Sequence, residues 1–440
     1  MASILLTAMP FAGHARPVRA VAAELVRRGH GVRVYTGRSY VAMFDDVGAR
    51  GVPWVAAPDF DERDLAATFP RLQDRKGFRQ VLRNLEDLFL GTAPAQAEDL
   101  LALHDDEPWD LLAGDPMALG TRLAAERLRS PWATVSPIAV WLPGKGIPPT
   151  GLGLTPGVGV LGRARDAVLG AVSGAGTAAL TRRYQRTRRS AGLAPDTATF
   201  ATMWYSPFLV VAAGSPGLDY PRDDLPPHIR FVGDLTDDGT SPTAGSLPPW
   251  WDDVVHAGAP VVHVTQGTAN VDPRDLILPT LEALADQDVL VVVGLGHRTD
   301  PLPGPLPANA RVAPMVPYPE LLPRTSVMIT NGGYGGVLQA LRHDVPLVVA
   351  GGDLDKPEVA ARVGWHGAGV NLRTGTPRPE AVRDAYRAVA TDPAYRAAAA
   401  RLGSELRALG GARAAADLLE ERLVQPDVRD PATGGRSGTV

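Results

Sequence analysis

At 440 residues the chain is longer than one hydrophobic core usually serves, so two domains of roughly 200 residues each are expected. Its 44 Lys+Arg against 48 Asp+Glu leave a formal charge of -4 with no long basic run, which removes the electrostatic basis for a nucleic-acid or membrane-surface partner. It has no cysteine, which excludes disulfide scaffolds, thiolate metal sites and a cysteine nucleophile and suits a reducing compartment, and its nine histidines form no HExxH-type cluster.

The first six residues are apolar but lack a basic region and run straight into Pro10, Gly13 and His14, so they read as a first strand and not a signal peptide. No apolar run is long enough to span a bilayer, and a cytoplasmic protein without an integral membrane segment is expected. A strand over residues 4–7 leads through a loop containing Gly13 to a helix beginning near Pro17, with Val18, Val21, Ala22, Leu25 and Val26 on one stripe. Gly29 is the expected left-handed stop before a strand over 32–35, which completes a β-α-β unit. Strands follow at 110–114 and 132–136 around a helix over 117–128; residues 143–162, rich in glycine and proline and without a period, read as a surface loop or lid. A proline-rich, acidic segment over 216–251 reads as a linker between halves.

The alternation then restarts, with strands at 261–265, 289–293, 311–313, 326–330 and 346–350 and helices at 274–285, 337–341 and from Pro357. Strands alternating with helices imply a parallel, doubly wound sheet in each half. The expected division is an acceptor-binding domain over 1–215, a linker over 216–255 and a nucleotide-sugar domain over 256–405. A helix over 406–424 packing back on the first domain and a frayed tail over 425–440 complete it.

Ligands of open α/β sheets lie beyond the carboxyl ends of strands, which singles out the residues just after each strand. His14 follows the first strand in Phe11-Ala12-Gly13-His14-Ala15-Arg16-Pro17, and Asp115 follows Leu111-Leu112-Ala113-Gly114. An imidazole with an ordinary pKa of about 6.5 can act as a general base near neutrality, and a carboxylate on its other nitrogen orients it and stabilises its charged form. Each also has an ordinary reading, His14 as a helix cap and Asp115 as the N-cap before Pro116. In the second half Thr330-Asn331-Gly332-Gly333-Tyr334-Gly335-Gly336 joins a strand to a helix, where glycines let a diphosphate approach free main-chain N–H groups. Thr265-Gln266-Gly267-Thr268 offers further N–H groups and a hydroxyl, although both loops can equally be tight turns and neither is a Walker or G-x-G-x-x-G motif. The carboxylates of Asp353-Leu354-Asp355-Lys356-Pro357 can bond sugar hydroxyls, hold a divalent cation at a diphosphate, or cap the next helix.

Together these residues resemble the family 1 glycosyltransferases of the GT-B fold, particularly the bacterial macrolide and other natural-product enzymes, over nearly the whole chain. The resemblance is carried by Gly13-His14-Ala15-Arg16-Pro17 and Arg28-Gly29-His30-Gly31-Val32. In the second half it is carried by Val316-Pro317, Leu321-Leu322, residues 330–336, Ala340-Leu341, Val345-Pro346 and Asp355. It implies an α/β architecture of two doubly wound Rossmann-like domains facing each other across a cleft. It also implies inverting, metal-independent transfer of a sugar from UDP or dTDP to a hydroxyl of a small, natural-product acceptor. No cofactor is implied, the nucleoside-diphosphate sugar being a co-substrate, and the state is a monomer or homodimer.

By the same resemblance His14 is the catalytic base and Asp115 its supporting acid, while Met315 and Val316 flank the nucleobase and Gln339 faces the ribose. Thr268, Asn331, Gly335 and Gly336 surround the diphosphate, Gly267, Gly333 and Tyr334 belong to the same nucleotide-sugar site, and Asp355 and Lys356 meet the sugar. Phe78, Trp141, Met203 and Trp204 are candidate acceptor-lining residues, although residues of these types are more often core than pocket. The chain departs from the family pattern at Asn331 (usually histidine), Met315 (usually a stacking aromatic), Gln339 (usually a carboxylate) and Lys356 (usually glutamine). A nucleotide-sugar epimerase or hydrolase, or a non-catalytic nucleotide-sugar-binding partner, are the alternatives that this scaffold also suits.

Overall fold

The computed structural model describes residues 1–72, 78–236, 247–267, 270, 272–296, 298 and 300–424, without the side chains of Phe78 and Arg79. Its first sheet is built from β1 (Ser3–Thr7), β2 (Gly31–Thr36), β3 (Arg50–Pro53), β4 (Leu111–Gly114), β5 (Trp132–Ser136), β6 (Val210–Ala212) and β7 (Ile229–Phe231). They pair in the order β3-β2-β1-β4-β5-β6-β7, every neighbour parallel. The second sheet takes β8 (Val261–Thr265), β9 (Leu290–Gly294), β10 (Ala310–Ala313), β11 (Thr325–Thr330), β12 (Leu347–Val349) and β13 (Gly369–Asn371). Its order is β10-β9-β8-β11-β12-β13, again all parallel.

The strands are short apolar runs because helices cover both faces of each sheet, and β8 is accordingly buried at every residue. In both sheets the winding reverses at the middle, between β1 and β4 and between β8 and β11. There the loops diverge to opposite faces and leave a crevice at the carboxyl ends. The two crevices are built alike: the Asp115 N–H donates to the Thr7 carbonyl at 3.0 Å, and the Asn331 N–H donates to the Thr265 carbonyl at 3.3 Å.

Several elements differ from the sequence expectation. The first helix is Ala12–Arg27 and begins five residues before Pro17, which places His14 inside its first turn. Pro17 costs only the bond its N–H would have made to the Gly13 carbonyl near the helix start, where such a loss is tolerable. Gly29 does adopt a positive φ, +86°. The strands β3, β6, β7 and β13, of three or four residues each, were not expected. β7 and the helix Trp251–Val255 both fall inside the segment read as a linker. The 32-residue helix Gly159–Ser190 was also missed, beginning within the expected loop. Its first half is exposed on most sides, as at Val160, Leu161, Val168 and Val172, so no amphipathic stripe marks it.

The domains are packed together as well as facing each other. The Tyr334 hydroxyl donates to the Ala213 carbonyl at 3.2 Å, and the Gly411 N–H donates to the Val232 carbonyl at 2.6 Å. The last helix, Ala412–Val424, lies on the first: Arg28 reaches Asp417 and Glu420, each at 2.6 Å, and His30 Nε2 lies 2.8 Å from Glu420. Arg28-Gly29-His30 therefore serves this packing. The tail 425–440 lies outside the described residues. Among the described residues no helix is long and apolar enough to cross a membrane.

Candidate active site

His14 and Asp115 stand at the carboxyl ends of adjacent strands, 101 residues apart in sequence, and meet: His14 Nδ1 is 2.7 Å from Asp115 Oδ2. Asp115 is fully buried and also accepts from the Met9 N–H at 3.2 Å and the Met117 N–H at 2.8 Å. A carboxylate so held can only accept, so Nδ1 carries the proton and the lone pair of the neutral ring is on Nε2. The His14 side chain keeps 17% of its surface exposed. Burial by itself lowers the His14 pKa, but the charge and hydrogen bond of Asp115, helped by the charges of Asp355 and Glu62, outweigh it and raise the pKa above the ordinary value. Asp355, on the other domain, is thus near enough to His14 for its charge to favour the imidazolium. Arg16 likewise acts on Tyr318 across the gap.

Glu62 and two aromatic rings complete the surroundings of His14. Glu62 Oε2 accepts from the Ala12 N–H at 3.0 Å, where the helix dipole favours an anion, and its other oxygen accepts from the Tyr40 hydroxyl. The Phe11 ring centroid is 5.9 Å from that of His14, and Phe89 lies 6.4 Å beyond Phe11.

In the second domain the helix Tyr334–Arg342 starts directly after the glycine turn, and its first turn leaves the N–H groups of Tyr334, Gly335 and Gly336 without intrahelical acceptors. A Cβ on Gly335 would meet nothing within 4 Å, so that face of the turn is open. Gly332 has φ +88° and a Cβ there would lie 2.9 Å from Val349 Cγ1; Gly267 has φ +78° and its Cβ would lie 3.1 Å from Asn331 Nδ2. Both positions thus need glycine for the fold alone. Asn331 ties the two turns together, its Nδ2 donating to the Gln266 carbonyl and its Oδ1 accepting from the Gly333 N–H at 3.2 Å. Thr268 lies outside the described residues.

Val316 is 7% exposed and part of a small core with Trp251 and Leu321, whereas Met315 beside it is 49% exposed, the more available of the two to a flat ligand. Gln339, one turn into the helix, is partly exposed, its Nε2 3.4 Å from the Gly335 carbonyl. Asp355 occupies the N-cap position of the helix Lys356–Trp365 with no side-chain capping hydrogen bond, and burial holds its pKa above the ordinary carboxylate value against the opposing charge of Lys356. Lys356 is itself paired with Asp353. Among the described residues no group of three or more His, Asp or Glu side chains gathers as a metal site.

The family model described as Erythromycin biosynthesis protein CIII-like, C-terminal domain, matches residues 279–419. The chain is 39% identical to 4'-demethylrebeccamycin synthase of Lentzea aerocolonigenes over 95% of its own length and 99% of that protein's. It is 32% identical to UDP-glycosyltransferase 2 of Phaeomoniella chlamydospora over 95% of each chain. Among solved structures, the glycotransferase of kitacinnamycin superposes with a TM-score of 0.72 at 25% identity, covering 96% of this chain and 99% of that one. The chain belongs to the family 1 glycosyltransferases of the GT-B fold, natural-product type. It is a glycosyltransferase that uses nucleotide sugars, and the epimerase, hydrolase and non-catalytic readings are set aside.

Within this glycosyltransferase the expected residues fall into two groups. His14, Asp115, Gly335, Gly336, Met315, Gln339 and Asp355 stand at or beside the two facing crevices. Tyr334 does not present its side chain there: the ring is 6% exposed and packed between the domains, leaving only its main-chain N–H for an anion. Met203 and Trp204, 0% and 1% exposed, are core residues, Trp204 meeting Phe89 and Phe200 edge to face, which corrects their assignment as acceptor-lining. Trp141 remains half-buried, its main-chain N–H donating to the Tyr205 hydroxyl at 2.8 Å; the backbone of Phe78 opens a short helix, and its side chain lies outside the described residues. The residues missed are Phe11 and Glu62 near His14, Phe89 behind Phe11, and His263 with Tyr318 beneath the second crevice. His263 Nδ1 meets the Val292 carbonyl at 3.0 Å and Nε2 the Tyr318 hydroxyl at 3.2 Å, and burial pushes its pKa down to about 4, so it is neutral. Phe11, adjacent to the helix that bears His14, was the one with a sequence signal.

Proposed function

We propose that this enzyme is an inverting, metal-independent glycosyltransferase that moves a sugar from UDP or dTDP to a hydroxyl of a small natural-product acceptor. The reading is carried by the 2.7 Å contact between His14 and Asp115 at the mouth of the first crevice. Nε2 of His14 takes the acceptor proton as the acceptor oxygen attacks the anomeric carbon, and the bond from that carbon to the diphosphate oxygen breaks. Asp115 stabilises the imidazolium that forms. The departing diphosphate gains its negative charge against the first-turn N–H groups of Tyr334, Gly335 and Gly336. A single displacement of this kind inverts the anomeric configuration. A helix start supplies the positive field that a cation supplies elsewhere, and Lys356 already neutralises Asp353, which supports action without a metal.

The position of Asp355 at a helix start supports contacts with sugar hydroxyls, and the exposure of Met315 supports contact with the base. A thermal-shift screen of UDP, dTDP and their sugars tests the donor, since a ligand at about 100 times its Kd stabilises by about 2.7 kcal/mol. Turnover measured with EDTA then tests the mechanism. Loss of turnover on chelation with recovery on adding manganese or magnesium, or retention of configuration in the product, overturns it.

A further inference from the structure

The stretch 137–158 leaves β5 at its carboxyl end, on the cleft side, and its section around Gly151 to Leu154 is held by the other domain. Glu358, 2% exposed on the helix Lys356–Trp365, accepts through Oε1 from the Gly151 N–H at 2.9 Å and the Gly153 N–H at 2.8 Å. Its Oε2 is 3.0 Å from Arg362 Nη1, and Arg362 also reaches Asp219 at 3.2 Å and lies 4.7 Å over the Tyr220 ring. The Tyr220 hydroxyl closes the circuit by donating to the Leu154 carbonyl at 3.0 Å. The contact is tight, for Gly153 has φ +60° and a Cβ there would lie 2.8 Å from the Pro357 Cβ. A carboxylate and a guanidinium buried this deeply are costly to place and are stable only when paired and fully hydrogen-bonded, and a surface loop needs no such anchor. Pro357 is two residues beyond Asp355, so the anchored loop abuts the turn assigned to the sugar.

We propose that Glu358 is a positioning residue that fastens the loop of residues 143–158 against the donor-sugar turn, so that the loop walls the cleft and keeps water from the anomeric carbon. The proposal rests on Asp355 meeting the sugar. In transfer, the acceptor oxygen bonds to the anomeric carbon, its proton passes to His14 and the diphosphate leaves. Water in the acceptor's place undergoes the same bond changes and yields free sugar, so a loosened loop raises hydrolysis relative to transfer.

Trypsin cleavage after Lys145, within the loop, reports the fastening in the full chain, with or without UDP. Glu358→Ala and, independently, Gly153→Ala on the loop side should be cleaved several-fold faster than wild type, whereas Glu358→Gln, which keeps an acceptor oxygen, should recover most of the protection. With UDP-glucose as donor and 4-methylumbelliferone as acceptor, the ratio of free glucose to glucoside should rise several-fold in the two alanine variants. Cleavage at the wild-type rate in both overturns the fastening, and faster cleavage with an unchanged product ratio overturns the exclusion of water. Asp355→Asn keeps the two readings apart: it should weaken UDP-glucose binding without exposing Lys145. Unchanged binding there removes the sugar assignment while the cleavage assay still judges Glu358.

Discussion

The two crevices arise from the same winding, each at the point where the strand order reverses, yet they are built from different parts of the chain. The first uses side chains: an imidazole on a helix start, aligned by a buried carboxylate from the next strand. The second uses main chain: the N–H groups of a helix start, made reachable by glycine. In the proposed donor site the anion is held by main chain, so Asn331 in place of histidine need not remove those N–H groups, and its side chain instead ties the two turns together. Such a site tolerates no added bulk on the open face. A side-chain site behaves in the opposite way, since removing one group removes the chemistry.

The largest expected effect follows from that contrast. His14→Ala should cut turnover by about 10²–10⁴-fold, the usual contribution of a positioned base, while donor affinity, which belongs to the other domain, barely changes. Steady-state rates together with nucleotide titration separate the two, and near-wild-type turnover of an unactivated acceptor would remove the base from His14.

Asp115→Asn should cost about 10²-fold, the lower end of the same range, because the amide still holds the ring but cannot stabilise imidazolium. It should also move the pH profile. His14 accepts a proton only when neutral, so activity climbs as pH rises through its pKa; Asp115 raises that pKa, and its loss shifts the climb to lower pH. The same shift bears on stability. The imidazolium–carboxylate pair stabilises the fold fully below about pH 6.5, the ordinary histidine value, and the stabilisation fades as pH rises through the higher folded value. Melting curves should therefore separate wild type from variant more widely in acid on this account.

Gly335→Val should weaken donor binding about tenfold or more, ~1.4 kcal/mol, with the fold retained, because a Cβ there meets no protein atom within 4 Å and the added bulk projects where the diphosphate is assigned. Calorimetric titration of the folded variant checks it, and unchanged affinity would remove the main-chain assignment. Smallest is Tyr334→Phe, which loses one interdomain hydrogen bond, about 0.5–1.5 kcal/mol of stability, and should leave donor affinity alone. A change in affinity there would return the Tyr334 side chain to the donor site.

Much of both sites was legible because strand ends are local signals. An apolar run followed by glycine and a helix start marks a crevice in a parallel sheet, so His14, Asp115 and the turn over 330–336 could be read before any contact was known. What lines a cavity is not local. Met203 and Trp204 have the composition of pocket residues and are core, while Glu62 near His14, and Phe89 behind Phe11, have nothing in their own neighbourhoods to say so. Tyr334 sits within the glycine turn, but the side chain of the first helical residue points back toward the other domain, where Ala213 receives its hydroxyl.

The sequence by itself determined the alternating architecture, the restart of the pattern in the second half and the residues at the strand ends, because hydrophobic period and glycine placement act over a few residues. Only the tertiary structure decided that His14 meets Asp115 at 2.7 Å across 101 residues, that Asp355 adds its charge to His14 from the opposite domain, and that Glu358 holds a loop of the other domain. Those facts depend on the register and packing of distant segments, and a charge or hydrogen bond acts through distance in space and not along the chain.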